Sequence, residues 1–288
     1  MKRSLIMLAI ATAVLLPTAS FAQSSDAGMS SMEAQIRDRR YESVALTYVY
    51  GNSGQSGDST QRDMHYYSFI LSGEAEVLDG WLVWASIPVN QQNGLLGSVT
   101  GVGDLMVVVD KKLVKLFGAQ FSLGVGGRFA TGSVNQSHLP QAYQSGIGTN
   151  DYLIQLDAIS KALNFGIAYQ ISGGRNANEL TQLKQGDLFV LSGGYTYRGD
   201  GFDVGLNLLA IKQLEQTSVL DPLSQTKSFV DVAGTDKVQL DVLLKSRVAI
   251  TGWLSATATA GFPVNLRDVN VDGLTRAFTT SLGAAIEL

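Results

Sequence analysis

From Tyr41 to Leu288, apolar and polar residues alternate with a period of two. In residues 119–130, Phe121, Leu123, Val125 and Phe129 share one face, and Gln120, Ser122, Gly124, Gly126 and Arg128 share the other. In residues 164–172, Phe165, Ile167, Tyr169 and Ile171 oppose Asn164, Gly166, Ala168, Gln170 and Ser172. The same alternation runs through Val238–Lys245 and Phe278–Leu288. Successive side chains of a strand point to opposite faces, so this pattern predicts strands with one apolar and one polar face.

Twelve strands are predicted, near 41–50, 63–77, 81–90, 102–113, 119–130, 148–159, 164–172, 185–197, 202–211, 236–250, 253–264 and 275–288. Short links at 78–80, 114–118, 160–163, 198–201 and 251–252 alternate with long polar segments at 51–62, 91–101, 131–147, 173–184, 212–235 and 265–274. All the long segments therefore fall at one end of the sheet. A soluble sandwich has no reason for that order. A membrane barrel does, because its periplasmic turns are short and its extracellular loops long. Lipid cannot satisfy an open strand edge, so the sheet must close on itself. The expected fold is all-β: a transmembrane, antiparallel, up-and-down barrel of about twelve strands.

The aromatic residues fit two interfacial belts. Tyr48, Tyr50, Tyr67, Phe69, Phe129, Tyr152, Phe189 and Phe278 lie near the long-loop ends of their strands. Trp81, Phe121, Phe165, Tyr195, Tyr197 and Phe202 lie near the short-turn ends. Amphipathic rings favour both edges of a bilayer.

The start of the chain is of a different kind. Lys2 and Arg3 precede an apolar run, Leu5–Leu16, and Ser20-Phe21-Ala22 places small residues at a cleavage site. This is the pattern of a secretory signal peptide, expected to span 1–22. Residues 23–40 are expected to be a periplasmic leader or a short plug helix, capped by Ser30 or Ser31 with Glu33 following. The barrel would occupy 41–288, in the outer membrane of a Gram-negative cell.

Composition removes several functions. The chain has no cysteine, so thiol catalysis, cysteine metal sites and a lipoprotein anchor are excluded. Acidic residues outnumber basic ones, 25 to 21, and loss of Lys2 and Arg3 with the leader widens the gap. A general nucleic-acid binder would need a basic footprint instead. Asp268-Val269-Asn270-Val271-Asp272 alternates like the start of a calcium loop but lacks a closing glutamate, so no metal or other cofactor is expected. The expected partners are outer-membrane lipid and a small-molecule solute.

The strand faces turned away from lipid should line a lumen. By parity the candidates are Glu74, Glu76, Trp84, Asp104, Asp110, Arg128, Asp157, Asp203, Asp241, Lys245 and Arg247, with Lys112, Gln170, Gln239 and Glu287 beside them. Both signs of charge occur. A lining of one sign would select ions, whereas mixed charges fit an ion-paired interior. Leu82, Trp84, Met106, Val108, Leu209 and Leu243 take the same parity, which would give the lumen apolar patches.

A lipid hydrolase needs a histidine beside a nucleophile. His65 and Ser68 are three residues apart, which puts them on opposite faces of a strand. His138 lies beside Ser137 in a loop. No catalytic site is expected from either.

One motif invites another reading. Residues 101–112, GVGDLMVVVDKK, look like a glycine-rich phosphate loop. A dinucleotide loop needs a strand before the glycines and a helix after them. Here a polar segment precedes and a strand follows, with Leu105, Val107 and Val109 toward lipid and Asp104, Asp110 and Lys112 toward the lumen.

GVGDLMVVVDKKL (101–113) resembles a segment of the outer-membrane family named for the meta-pathway of phenol degradation. The stretch 243–274, with its strand, tight turn, return strand and Pro263-Val264 step, is similar to the same family, as is the closing TSLGAAIEL. The resemblance implies a barrel akin to hydrocarbon and fatty-acid channels, whose members move small, often aromatic, compounds. It carries over no catalytic or binding residue. The expected function is a channel or transporter for small solutes, apolar or aromatic compounds among them, by passive or gated diffusion. A lipid-modifying hydrolase and a structural or secretion-linked barrel are the alternatives.

Overall fold

The computed structural model describes residues 42–53, 63–224, 226–265, 269, 271 and 278–288. The expected signal peptide, the leader at 23–40, and Asp268 and Asp272 lie outside the described residues. The strands are β1 (Ser43–Asn52), β2 (His65–Leu78), β3 (Trp81–Gly94), β4 (Gly97–Val102), β5 (Leu105–Leu116), β6 (Ala119–Phe129), β7 (Asp151–Ile159) and β8 (Leu163–Ile171). They continue as β9 (Leu188–Arg198), β10 (Phe202–Gln213), β11 (Ser218–Leu220), β12 (Phe229–Asp231), β13 (Val238–Ala249), β14 (Leu254–Asn265) and β15 (Phe278–Glu287).

Twelve of these close into one antiparallel barrel, in the order β1, β2, β3, β5, β6, β7, β8, β9, β10, β13, β14, β15. Closure is direct: β15 pairs with β1 from Ser43 opposite Glu287 to Asn52 opposite Phe278. The Leu288 amide donates to the Glu42 carbonyl at 2.9 Å, extending the seam by one bond. No helix among the described residues is long and apolar enough to cross a membrane; the crossing elements are strands.

The alternation in sequence becomes an inside and an outside. Leu46, Leu71, Val125, Ile154, Leu206, Leu208, Leu244 and Leu282 are exposed on the outer wall. So broad an apolar surface is untenable in water and is what a bilayer requires. Aromatic pairs mark its edges: Tyr48 with Phe69 and Tyr50 with Tyr67 at the long-loop end, and Tyr197 with Phe202 at the short-turn end.

The structure corrects the sequence reading mainly above the long-loop end. Residues 91–101, expected as a polar loop, continue β3 and turn back as β4, with Gly94 opposite Gly97. β3 therefore pairs with β5 through Trp81–Ser86 and with β4 through Val89–Gly94. The expected strand 102–113 is broken at Gly103-Asp104 and runs on to Leu116, so the expected link 114–118 shrinks to Phe117-Gly118. The segment 212–235 carries the small β11–β12 hairpin. The strands expected from 148 and 185 begin at Asp151 and Leu188, because the residues before them belong to packed loops.

Candidate functional site

The barrel interior divides into three tiers. The uppermost is a cap made by the long segment between β6 and β7. Tyr143 in that segment is fully buried against Val49, Met64, Tyr66, Ile70 and Val99, side chains that point inward from the wall and the β3–β4 hairpin. Barrel amides hold its backbone. Asn90 Nδ2 donates to the Ser145 carbonyl at 2.6 Å, and Gln92 Nε2 to the Gln144 carbonyl. Asn90 is itself oriented by the hydroxyls of Tyr66 and Ser68, which donate to its Oδ1 at 3.0 and 2.7 Å.

A second long segment, between β8 and β9, lies on the first. Asn176 Nδ2 donates to Gln141 Oε1 at 2.6 Å and to the Ile147 carbonyl at 2.8 Å. Ile147 packs on Leu183. The β11–β12 hairpin is tied on through Arg175, which donates to Ser218 Oγ at 2.6 Å and lies 3.6 Å over the Phe229 ring.

Two carboxylates anchor this cap. Asp104 Oδ1 accepts the Gly132 amide at 2.9 Å, and Oδ2 accepts the amides of Ile147 and Gly148 at 2.6 and 3.2 Å. Asp151 pairs with Arg128, both almost wholly buried. Its oxygens also accept from Gln170 Nε2, Thr149 Oγ1 and the Gly173 amide, each at 2.9 Å. A buried charge needs this degree of satisfaction to be tolerated.

Gly103 of GVGD and Gly146 of the inserted segment serve close approach. A Cβ on Gly103 would lie 2.7 Å from Asn90 Nδ2 and 2.8 Å from the Ser145 carbonyl oxygen. One on Gly146 would lie 2.6 Å from Asp104 Oδ1 and 2.9 Å from the Gly132 Cα. Only bare backbone lets the inserted segment reach the wall.

The middle tier is a girdle in which a buried apolar cluster is set among buried polar side chains, with Glu74 in register with Trp84, Gln155 with Ala168, and Ser192 and Asp241 with Leu209. Trp84, Val108, Leu153, Val190, Leu209 and Leu243 meet across the lumen with Met106, Ala168, Leu188 and Ile211. The apolar cluster draws on seven strands, β3, β5, β7, β8, β9, β10 and β13.

The lowest tier, in the short-turn half, is a cavity of about 310 Å³. Trp84 and Leu243 line it together with the hydroxyl side chains Thr47, Thr257, Thr259, Thr279 and Ser281. Asp157, Asp203, Lys245 and Arg247 also line it. Arg247 pairs with Glu287 and lies 4.0 Å from Asp203.

The sequence-derived candidates thus fall into separate places. Trp84, Asp157, Asp203, Lys245 and Arg247 come together at the cavity. Asp104 and Arg128 belong to the cap. Asp110, fully buried, accepts from Gln155 Nε2 at 3.1 Å, and Asp241 from Gln239 Nε2 at 2.7 Å. Glu74 is buried in register with Trp84. Glu76 sits at the short-turn rim, where it pairs with Lys112 and accepts the Gly80 amide at 2.6 Å.

Sequence reasoning missed the cap residues Asp151, Tyr143, Gln141, Gln144 and Asn90. One signal was available: residues 131–150 contain no Asp, Glu, Lys or Arg. A solvated loop of that length normally carries charge, whereas an uncharged, amide-rich one is suited to burial.

The two histidines lie apart from the lumen tiers. His65 Nδ1 meets the Tyr50 hydroxyl at 3.0 Å and Asn52 Nδ2 at 3.1 Å. Ser68 is buried on the opposite face. His138 Nδ1 lies 3.0 Å from Glu179, exposed on the cap. Among the described residues, no group of three or more His, Asp or Glu is placed to hold a metal ion.

No family model matches the chain, and no curated protein is similar to it in sequence. Solved structures are similar to it in fold. The COG4313 outer-membrane channel of Pseudomonas putida F1 aligns with a TM-score of 0.61 at 13% identity, over 88% of this chain and 100% of that one. The NanC porin gives 0.50 at 14% identity, over 85% and 100%. The translocator domain of the autotransporter NalP from Neisseria meningitidis gives 0.51 at 10% identity, over 91% and 96%. At these identities the likeness is one of architecture: this is the closed-barrel fold of outer-membrane channels and porins.

Proposed function

We propose that the protein is a gated outer-membrane channel for small solutes, apolar or aromatic compounds among them. The observation that carries this reading is the layered lumen: a cap inserted at the long-loop mouth, a girdle around a buried apolar cluster below it, and a cavity below that. A wall needed only for support would not require a cap pinned by Asp104 and a solute-sized space beneath it. The girdle narrows the lumen, and the cap controls entry from outside.

The exported, outer-membrane location belongs to the same proposal, supported by the apolar outer wall and by the leader pattern at 1–22. An absence of catalysis is part of it too. Each histidine is already engaged by Tyr50, Asn52 or Glu179, and the serine close to His65 in sequence points into the lumen.

Planar-bilayer recording tests the proposal. The wild-type barrel should open rarely, and an Asp104→Ala barrel often. A bilayer that stays silent with both would sink the channel reading.

A further inference from the structure

The cavity beneath the girdle is lined by two chemically different sets of side chains. β1, β15 and β14 present Thr47, Thr279, Ser281, Thr257 and Thr259. These three strands are hydrogen-bonded neighbours, so the hydroxyls form one patch. Trp84 on β3 and Leu243 on β13 flank these strands on either side, and both belong to the buried apolar cluster. The patch is concave at Gly283, where a Cβ would lie 2.7 Å from the Thr257 oxygen and 3.0 Å from that of Thr47.

The charges at the cavity balance. Arg198, Lys245 and Arg247 line it with Asp157 and Asp203, and Glu287 pairs with Arg247. A lining of one sign would draw in an ion. A balanced one gives a charged solute no net attraction, and the solute would still lose its hydration. A pure hydrocarbon fits poorly as well, because it would cover the hydroxyl patch without satisfying it.

We propose that this cavity binds a neutral solute that carries both an apolar ring and hydroxyl groups, of the size of an aryl monosaccharide. The ring lies against Trp84 and Leu243. The solute's hydroxyl groups meet the threonine and serine hydroxyls, which can each donate or accept and so tolerate several orientations. A volume of about 310 Å³ is at the small end of ligand sites, which run from roughly 300 to 1,000 Å³. The assignment names the substrate class for the channel reading and rests on that reading.

The test separates binding from transport. With Trp81→Phe and Trp253→Phe, Trp84 is the one remaining tryptophan of the three in the chain. Its fluorescence in the folded barrel is followed while phenyl glucoside, glucose or benzoate is added. Phenyl glucoside should give a saturable change, with glucose and benzoate at least tenfold weaker. Thr257→Val with Thr259→Val should weaken phenyl glucoside binding about tenfold while the folded band on gels is retained; Ser281→Ala serves if that pair fails to fold. An equal response to all three probes, or binding untouched by the loss of hydroxyls, overturns the assignment. Liposome swelling with Asp104→Ala is the second arm, in which phenyl glucoside should enter faster than glucose. Entry ordered by size alone, without saturable binding, overturns the assignment and leaves the channel. Saturable binding with no swelling for any solute overturns the channel instead.

Discussion

The Asp104 carboxylate accepts the backbone amide of Ile147 at 2.6 Å, across 43 positions of sequence. The same oxygen takes the Gly148 amide, and its partner takes that of Gly132. One side chain at the long-loop end of β5 therefore holds both ends of the segment that fills the barrel mouth. Removing it with Asp104→Ala should lower barrel stability by about 1.5–3 kcal/mol, the worth of hydrogen bonds to a charged group. Open probability in bilayers should rise at the same time. Asp104→Asn, which keeps one carbonyl acceptor, should fall between the two.

Gly146 tests the same clasp from the loop side. Gly146→Val places side-chain atoms where Asp104 Oδ1 and the Gly132 Cα now lie. The expected outcome is a loosened cap, read as faster protease cleavage between residues 131 and 148 in intact barrels, with the heat-modifiable gel shift unchanged. Cleavage at the wild-type rate would mean that the segment is held elsewhere.

The buried Arg128–Asp151 pair should behave asymmetrically. Arg128→Met leaves the Asp151 carboxylate buried with its three neutral donors but no countercharge and should cost about 3–5 kcal/mol, the usual penalty for removing one partner of a buried ion pair. Adding Asp151→Asn should recover part of that loss, because the amide oxygen can still accept from Gly173 and Thr149. Urea unfolding of both variants in lipid vesicles measures the difference.

Leu208 and Leu209 are adjacent on β10 but face opposite ways, the first half-exposed and the second fully buried in the girdle. Leu208→Arg should destabilise the barrel in a bilayer by about 2–4 kcal/mol if it sits near the midplane. Leu209→Ala should act on conductance, since it removes side-chain volume from the middle of the lumen. If instead Leu208→Arg is silent in lipid, the outer wall has been assigned to the wrong face.

Much of the fold was legible along the chain because strand parity is a local property. Phe121 and Ser122, or Val242 and Leu243, cannot share a face, so one alternating pattern fixes what faces lipid. The inward apolar residues Trp84, Val108, Leu209 and Leu243 were placed by the same rule. That rule says nothing about residues outside strands. Tyr143 and Gln144 look like loop residues until the wall offers them partners. Asp104 reads as lumen lining until the strand is seen to break at Gly103 and turn its carboxylate onto the loop.

The closed twelve-stranded barrel, its two faces and the end at which its long connections lie can all be read along the chain. Each of these follows from a period of two and the spacing of turns. The capped mouth, and the division of the inward charges between cap, wall and cavity, emerge only when the barrel closes. Those outcomes depend on pairs such as Asp104 with Ile147 or Asn176 with Gln141, far apart in sequence. Their meeting is set by barrel closure and strand register, and neither leaves a local periodic trace.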